Sequence, residues 1–176
     1  MSATIEFPTL GEAPAIELAN TRYGPAGDTF DYLGTPAMAR AWVVEVLPHT
    51  SLDDVSALRE LRDAARSALM ARLADQLPSA KVIAVLNRHA AAACAHVALT
   101  AVGDTARVQV HYRGAAAARA QLATSCIELL VQAVPIRRCE GAGCGLLFAP
   151  RHLRRRFCHE SCSHRARQAR YLQGRS

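Results

Sequence analysis

The chain has 176 residues and a formal net charge of +6, enough for one domain of ordinary size plus a small appendage, since domains commonly run to roughly 100 to 200 residues. No run of roughly 18 apolar residues occurs, which excludes a membrane-spanning helix. The opening stretch, residues 1–8, lacks the basic and then apolar signature of a secretion signal, so a cytoplasmic protein that contacts no membrane is expected.

In chain order, Ala15 to Thr21 reads as a short helix ending near Asn20, and residues 22–34, with Gly24, Pro25, Gly27 and Asp28, read as a loop. Thr35-Pro36 predicts an N-cap followed by proline at the first helical position, opening a helix through Trp42 that Pro48 stops. Ser51, with Asp54 three residues on, predicts the cap of the longest helix. That helix carries Leu58, Leu61, Ala65, Leu69 and Leu73 on one stripe, holds Arg59, Arg62, Asp63 and Arg66 mostly off it, and ends near Leu77-Pro78. Ser79 starts a further helix. The period then changes to two, with Val108, Val110 and Tyr112 facing opposite to Arg107, Gln109 and His111, and Gly103-Asp104 supplies a hairpin turn. Ala115 to Val134 predicts a last helix of this region, with Leu122, Cys126, Leu129, Leu130 and Ala133 on a common face, closed by Pro135. The expected fold class is α+β: a mainly α-helical domain with one β-hairpin over residues 1–135, then a small module over 136–176.

A cut after Pro135 also divides the charge. Residues 1–135 hold 11 Lys and Arg against 13 Asp and Glu, while residues 136–176 hold 10 arginines against Glu140 and Glu160. The surplus positive charge therefore lies in the tail, together with Cys139-x4-Cys144 and Cys158-x3-Cys162. In a reducing compartment two such close pairs suit one tetrahedral zinc ion better than disulfides. A segment this short cannot build a sufficient core alone, and a structural metal offsets the chain entropy. Cys94 and Cys126, isolated in apolar stretches, are expected to be small buried residues.

Within the tail, Gly141 and Gly143 permit the tight backbone of a zinc knuckle. Residues 145–148 predict a strand, with 155–157 returning as its partner, and Phe148 and Phe157 form a miniature core. Cys158 and Cys162, four apart, project from one face at the start of a final helix over about 160–172. Knuckle, hairpin and ligand-bearing helix in this order describe a treble-clef arrangement.

These residues resemble the CGNR-type zinc finger family of bacterial stress-induced transcription regulators. The likeness rests on the Cys139/Cys144 knuckle, Leu147-Phe148, the run Arg155-Arg156-Phe157-Cys158, and Cys162 leading into a helix with Arg165. Glu17-Leu18-Ala19-Asn20-Thr21 is similar to an early signature of the helical, ABATE-like domain of that family. The resemblance implies Zn2+ as the cofactor and DNA binding as the function. The Cys-Gly-Asn-Arg of the family stands here as Cys162-Ser163-His164-Arg165, so nothing is carried over to Ser163 or His164.

From the residues, Arg154, Arg155, Arg156, Arg165, Arg167 and Arg170 are candidates for phosphate or groove contacts, because guanidinium forks suit phosphate oxygens. The alternative is a zinc-organised module that binds RNA or an acidic protein, anions that an arginine fork does not distinguish from DNA. A homodimer would add sequence specificity, although no feature specifies one. Four thiolates complete the tetrahedron, so no catalytic metal with His159 or His164 as ligand is expected, and the chain reads as a non-enzyme. Asn20, Thr21 and Trp42 are candidates to border a ligand pocket in a sensing domain. The same residues also read as a helix end and a core tryptophan. His49, His89, His96 and His111 show no metal-ligand spacing and receive no chemical role.

Overall fold

A computed structural model of the protein describes residues 9–24, 30–103 and 105–173. The helical domain is arranged around α3, Val55–Leu73, which contacts α1 (Pro14–Ala19), α2 (Pro36–Val46), α4 (Ala80–Ala90) and α5 (Ala117–Val131). Leu58, Leu61, Ala65, Ala68 and Leu69 of α3 are buried in the main core with Ile16, Leu18, Trp42, Val43, Leu86, Leu122 and Cys126. Burial raises the Cys126 thiol to about 12, so this cysteine is an inert core residue. Cys94 differs from expectation, being exposed at the first position of its strand.

Two caps follow the sequence closely: Thr35 Oγ1 accepts from the Met38 amide at 3.2 Å and Ser79 Oγ from the Val82 amide at 3.4 Å. The cap of α3 is Asp54 rather than Ser51, its carboxylate accepting from the Ser56 and Ala57 amides at 2.8 and 3.1 Å. Asp54 immediately precedes the helix, where a side-chain oxygen reaches those amides; Ser51 lies three residues too early. At the other end α3 stops at Leu73, because Asp75 takes a left-handed φ of 52° and the following Leu77 is exposed, with no apolar anchor to prolong the helix. Arg72 in the last turn instead reaches across to α5, donating to the carbonyls of Leu130, Gln132 and Val134 at 3.2, 2.7 and 3.3 Å. Those are carbonyls at the C-terminal end of α5, which ends at Val131 rather than Val134.

Arg62, placed off the apolar stripe by the sequence pattern, is buried, and its guanidinium pairs with Asp31 at 2.6 Å and Asp63 at 2.9 Å. Asp31 belongs to a small ladder, β1 (Arg22–Tyr23) against β2 (Phe30–Asp31), where a loop is expected from the turn residues. Of those turn residues, Pro25, Gly27 and Asp28 lie outside the described residues, as does Asp104 of the second hairpin turn.

That hairpin is longer than predicted, β3 (Cys94–Val102) pairing antiparallel with β4 (Thr105–Arg113). Val97 opposes Val110 and Leu99 opposes Val108, which gathers the apolar side chains on one face. The face is uncovered: Val97, Leu99 and Val108 are 71%, 76% and 70% exposed. The alternation thus reports the strand period correctly without a core to receive its apolar side.

In the tail, β6 (Leu147–Phe148) pairs with β5 (Arg137–Arg138), and not with residues 155–157 as predicted. The knuckle sits between β5 and β6, so its turn brings the two flanking segments together. Leu147 and Phe148, adjacent on a strand, point to opposite sides. Leu147 joins the main core, as does Ile136, whereas Phe148 packs with Cys139, Cys158, Cys162 and Phe157. The final helix is α6, Glu160–Gln173.

Candidate metal centre and its basic surroundings

Four sulfurs meet in the tail. The Cys139 amide donates to the Leu146 carbonyl at 2.9 Å and the Cys144 amide to the Gly141 carbonyl at 2.9 Å, closing the knuckle. The amides of Gly141 and Cys158 point at Cys139 Sγ from 3.4 and 3.3 Å. Donated N–H groups of this kind stabilise sulfur in its charged form. Gly141 is required by space: a Cβ there would lie 3.0 Å from Cys162 Cβ and 3.2 Å from its sulfur. Cys162 stands in the first turn of α6, while Cys158 precedes the helix rather than starting it.

All four ligand atoms of Cys139, Cys144, Cys158 and Cys162 lie within 4.8 Å of one another. Two separations are 3.7 Å (Cys144–Cys158) and 3.8 Å (Cys158–Cys162). A tetrahedral zinc with bonds of about 2.3 Å has sulfur edges of about 3.8 Å, so the arrangement fits that ion. The electrostatics agree. Hydrogen bonding from the Cys158 thiol draws Cys144 down to about 5, while that same contact and burial drive Cys158 upward, and burial raises Cys139. Thiols this close share protons because several bare thiolates repel; a divalent cation removes that conflict and lets all four ionise.

The arginines divide into two groups. Arg155 is turned into its own module: it donates to the carbonyls of Phe157, at 3.1 Å, and Cys158, stacks 4.9 Å over the Phe148 ring and lies 3.8 Å from Glu12. Arg165 donates to Cys162 Sγ at 3.2 Å. Arg156 makes an exposed ion pair with Glu140. Arg154, Arg167 and Arg170 are exposed as well, and among the described residues Arg154 and Arg167 have no ion-pair partner while Arg170 donates to the Ala166 carbonyl of its own helix at 3.3 Å. Arg151 and His152, which sequence reasoning did not single out, join Arg154 and His159 around a basin of about 740 Å³ beside the start of α6. Every residue from Arg167 to Leu172 is exposed, Ala169 included. The outer half of α6 therefore extends past the module.

Asn20, Thr21 and Trp42 do not border a common cavity among those described. Asn20 is buried and clasps the finger, its amide nitrogen donating to the Leu147 carbonyl at 2.9 Å and its oxygen accepting the Leu147 amide at 2.8 Å. Thr21 Oγ1 donates to the Leu18 carbonyl at 2.7 Å, closing α1, and Trp42 lies in the core. Beside the Asn20 clasp, Glu12 accepts from the Ala149 amide at 3.0 Å. Buried Glu17 holds that segment in place by accepting the amides of Leu10 and Glu12, both at 2.8 Å. Burial raises the Glu17 carboxyl above its ordinary value. The Asn-Thr signature marks the clasp; no comparable signal singles out Glu12.

A four-cysteine cluster clasped to a helical fold defines a zinc-finger protein. The family model of ABATE, described as "Putative stress-induced transcription regulator", matches residues 12–133, and the chain belongs to that family. The CGNR zinc finger model matches residues 136–175. No curated protein matches the chain. Zn2+ is the cofactor that this family and the sulfur cluster support, and among the described residues no helix is long and apolar enough to cross a membrane.

Proposed function

We propose that the protein is a zinc-dependent DNA-binding transcription regulator in which Cys139, Cys144, Cys158 and Cys162 hold the metal in a treble-clef-like module. The observation that carries this reading is the outer half of α6, where residues 167–172 are exposed and include Arg167 and Arg170. A helix with side chains is about 10 to 12 Å across and the major groove about 12 Å wide, so such a projection can enter it. Arg154 and the basin beside the N-terminus of α6 supply phosphate contacts at its base. Arg155 and Arg165 position the module rather than the nucleic acid, and Arg156 engages DNA by exchanging Glu140 for phosphate. The metal is structural, because four thiolates leave no open position for substrate, and the protein is not an enzyme. The helical domain supplies the regulatory input.

Binding of the zinc-loaded protein to random duplex DNA, measured by fluorescence anisotropy over a salt series, tests the reading. The Arg154→Gln/Arg167→Gln/Arg170→Gln variant is expected to lose at least tenfold in affinity and to show a shallower salt slope, since each phosphate contact adds about −0.9 to that slope. Tighter binding to RNA or to an acidic peptide than to the duplex would favour the alternative, a module for those partners.

A further inference from the structure

A second basic site lies at the junction between the helical domain and the finger. A cleft of about 450 Å³ is lined by Arg22 of β1, by Asp63, Arg66 and Ser67 of α3, and by Arg138 and Gly145 of the finger. Its size falls in the range of small-ligand pockets, roughly 300 to 1,000 Å³. Three guanidinium groups thus converge from three elements. Among the described residues none of the three has an ion-pair partner, and Arg66 donates only to the Ala19 carbonyl at 3.2 Å. Among the described lining residues the one carboxylate is Asp63, which is 62% exposed and pairs through Oδ1 with Arg62 at 2.9 Å.

Arg22 and Arg138 are exposed, so the cost of this arrangement falls on Arg66, and an anion in the cleft would offset it. Arg66 is half-buried, and burial together with the positive charges of Arg138, Arg22 and Arg62 pulls its pKa below the ordinary value. Structural arginines elsewhere in this chain show the contrast: Arg62 meets Asp31, Arg119 meets Asp53, and Arg72 meets carbonyls. This cleft is not part of the basic surface beside α6, because the two share no lining residue.

We propose that this cleft is a binding site for a small phosphorylated anion, gripped by Arg22 and Arg66 from the helical domain and by Arg138 from the finger. Tetrahedral phosphate offers several oxygens to guanidinium forks arriving from different directions. Arg138 directly precedes Cys139, so the bound anion also ties the metal module to the helical domain. That coupling, which rests on the regulatory reading above, makes the ligand an effector of finger docking.

The test uses the full-length zinc-loaded protein, with inorganic phosphate and a phosphomonoester as probes, at ionic strength matched with chloride. Calorimetry is expected to show one site, and melting temperature to rise with phosphate. Arg66→Gln and Arg138→Gln should each weaken binding at least tenfold while zinc content stays at one per chain. Arg22→Gln, at an exposed residue outside the core, guards against misfolding and should weaken binding as well. Arg167→Gln should leave phosphate binding unchanged. Absence of saturable phosphate binding by the wild type, or binding indifferent to all three cleft variants, would overturn the proposal. So would a loss of duplex affinity in Arg66→Gln equal to its loss of phosphate affinity, which would make the anion a DNA backbone phosphate. Duplex binding in the same preparation separates the two readings: DNA bound without phosphate removes the cleft, and phosphate bound without DNA removes the DNA-binding assignment.

Discussion

Asn20 and Leu147, 127 positions apart, are joined by a reciprocal pair of hydrogen bonds at 2.9 and 2.8 Å in which a side-chain amide takes the place of a neighbouring strand. The pair is buried, so neither the Leu147 carbonyl nor its amide has water as a substitute. Asn20→Ala is therefore expected to cost roughly 2 to 4 kcal/mol, the usual loss when two buried backbone groups are left unsatisfied. Urea unfolding of the zinc-loaded protein measures it. A cost below about 0.5 kcal/mol would show that the finger docks through Leu147 packing alone.

The knuckle predicts a different sensitivity. In Gly141→Ala the added methyl meets Cys162 Cβ at 3.0 Å and two cluster sulfurs, so zinc affinity should fall at least tenfold in a competition titration with a chelator. Gly143 has open space but a φ of +72°, so Gly143→Ala should cost only about 1 kcal/mol of backbone strain and leave the sulfur geometry intact. Equal effects at the two positions would show that the close approach is not what Gly141 serves.

Stability should also carry a histidine signature. His89 is buried between α3, α4 and α5, facing Glu60, Arg88 and Arg119. Arg119 donates to His89 Nδ1 at 2.8 Å, so the ring proton sits on Nε2 and points to Glu60 at 3.2 Å. Burial, with the two arginines, lowers the His89 pKa. The unfolded chain then takes up the proton first, and stability is lost as pH falls below about 6.5, the unfolded value, toward the folded one. Asp53 and Glu60, lowered by Arg119 and Arg88, add their own loss only below about pH 4.5. Melting curves between pH 7.5 and 5.5 should decline for the wild type and flatten for His89→Gln; a slope unchanged by that substitution would assign the window to another group.

The uncovered face of the β3–β4 hairpin supports a contrast in mutational cost. Leu99→Thr keeps the strand shape at a position 76% exposed and should change stability by less than about 0.5 kcal/mol. Leu122→Ala, in the core, should cost roughly 2 to 5 kcal/mol. Chemical denaturation of both variants at micromolar protein checks the difference.

What the sequence discloses here depends on the range of the interaction. Thr35, Ser79, the stripe on α3 and the cysteine spacings are local patterns, and each appears in the structure at its expected place. The strand-like character of residues 155–157 points to them as the partner of β6, whereas the pairing with β5 follows from closure of the knuckle. Arg62 lies off the apolar stripe in the sequence pattern, and the partner that lets it be buried, Asp31, belongs to a segment with no periodicity. Arg155 turns inward partly through the nearby carbonyls of Phe157 and Cys158 and partly through Phe148 and Glu12, which meet it only in three dimensions. The family resemblance marks Asn20, but its role as a clasp depends on Leu147, 127 positions away.

The central claim is that one metal ion shapes an arginine-bearing helix for DNA. Its most direct test is duplex affinity of the full-length protein before and after zinc is stripped with a strong chelator and then returned in stoichiometric amount. The account predicts at least a tenfold loss on stripping, full recovery at one zinc per chain, and no recovery in Cys139→Ser/Cys144→Ser. Undiminished duplex binding by the zinc-free protein would contradict it.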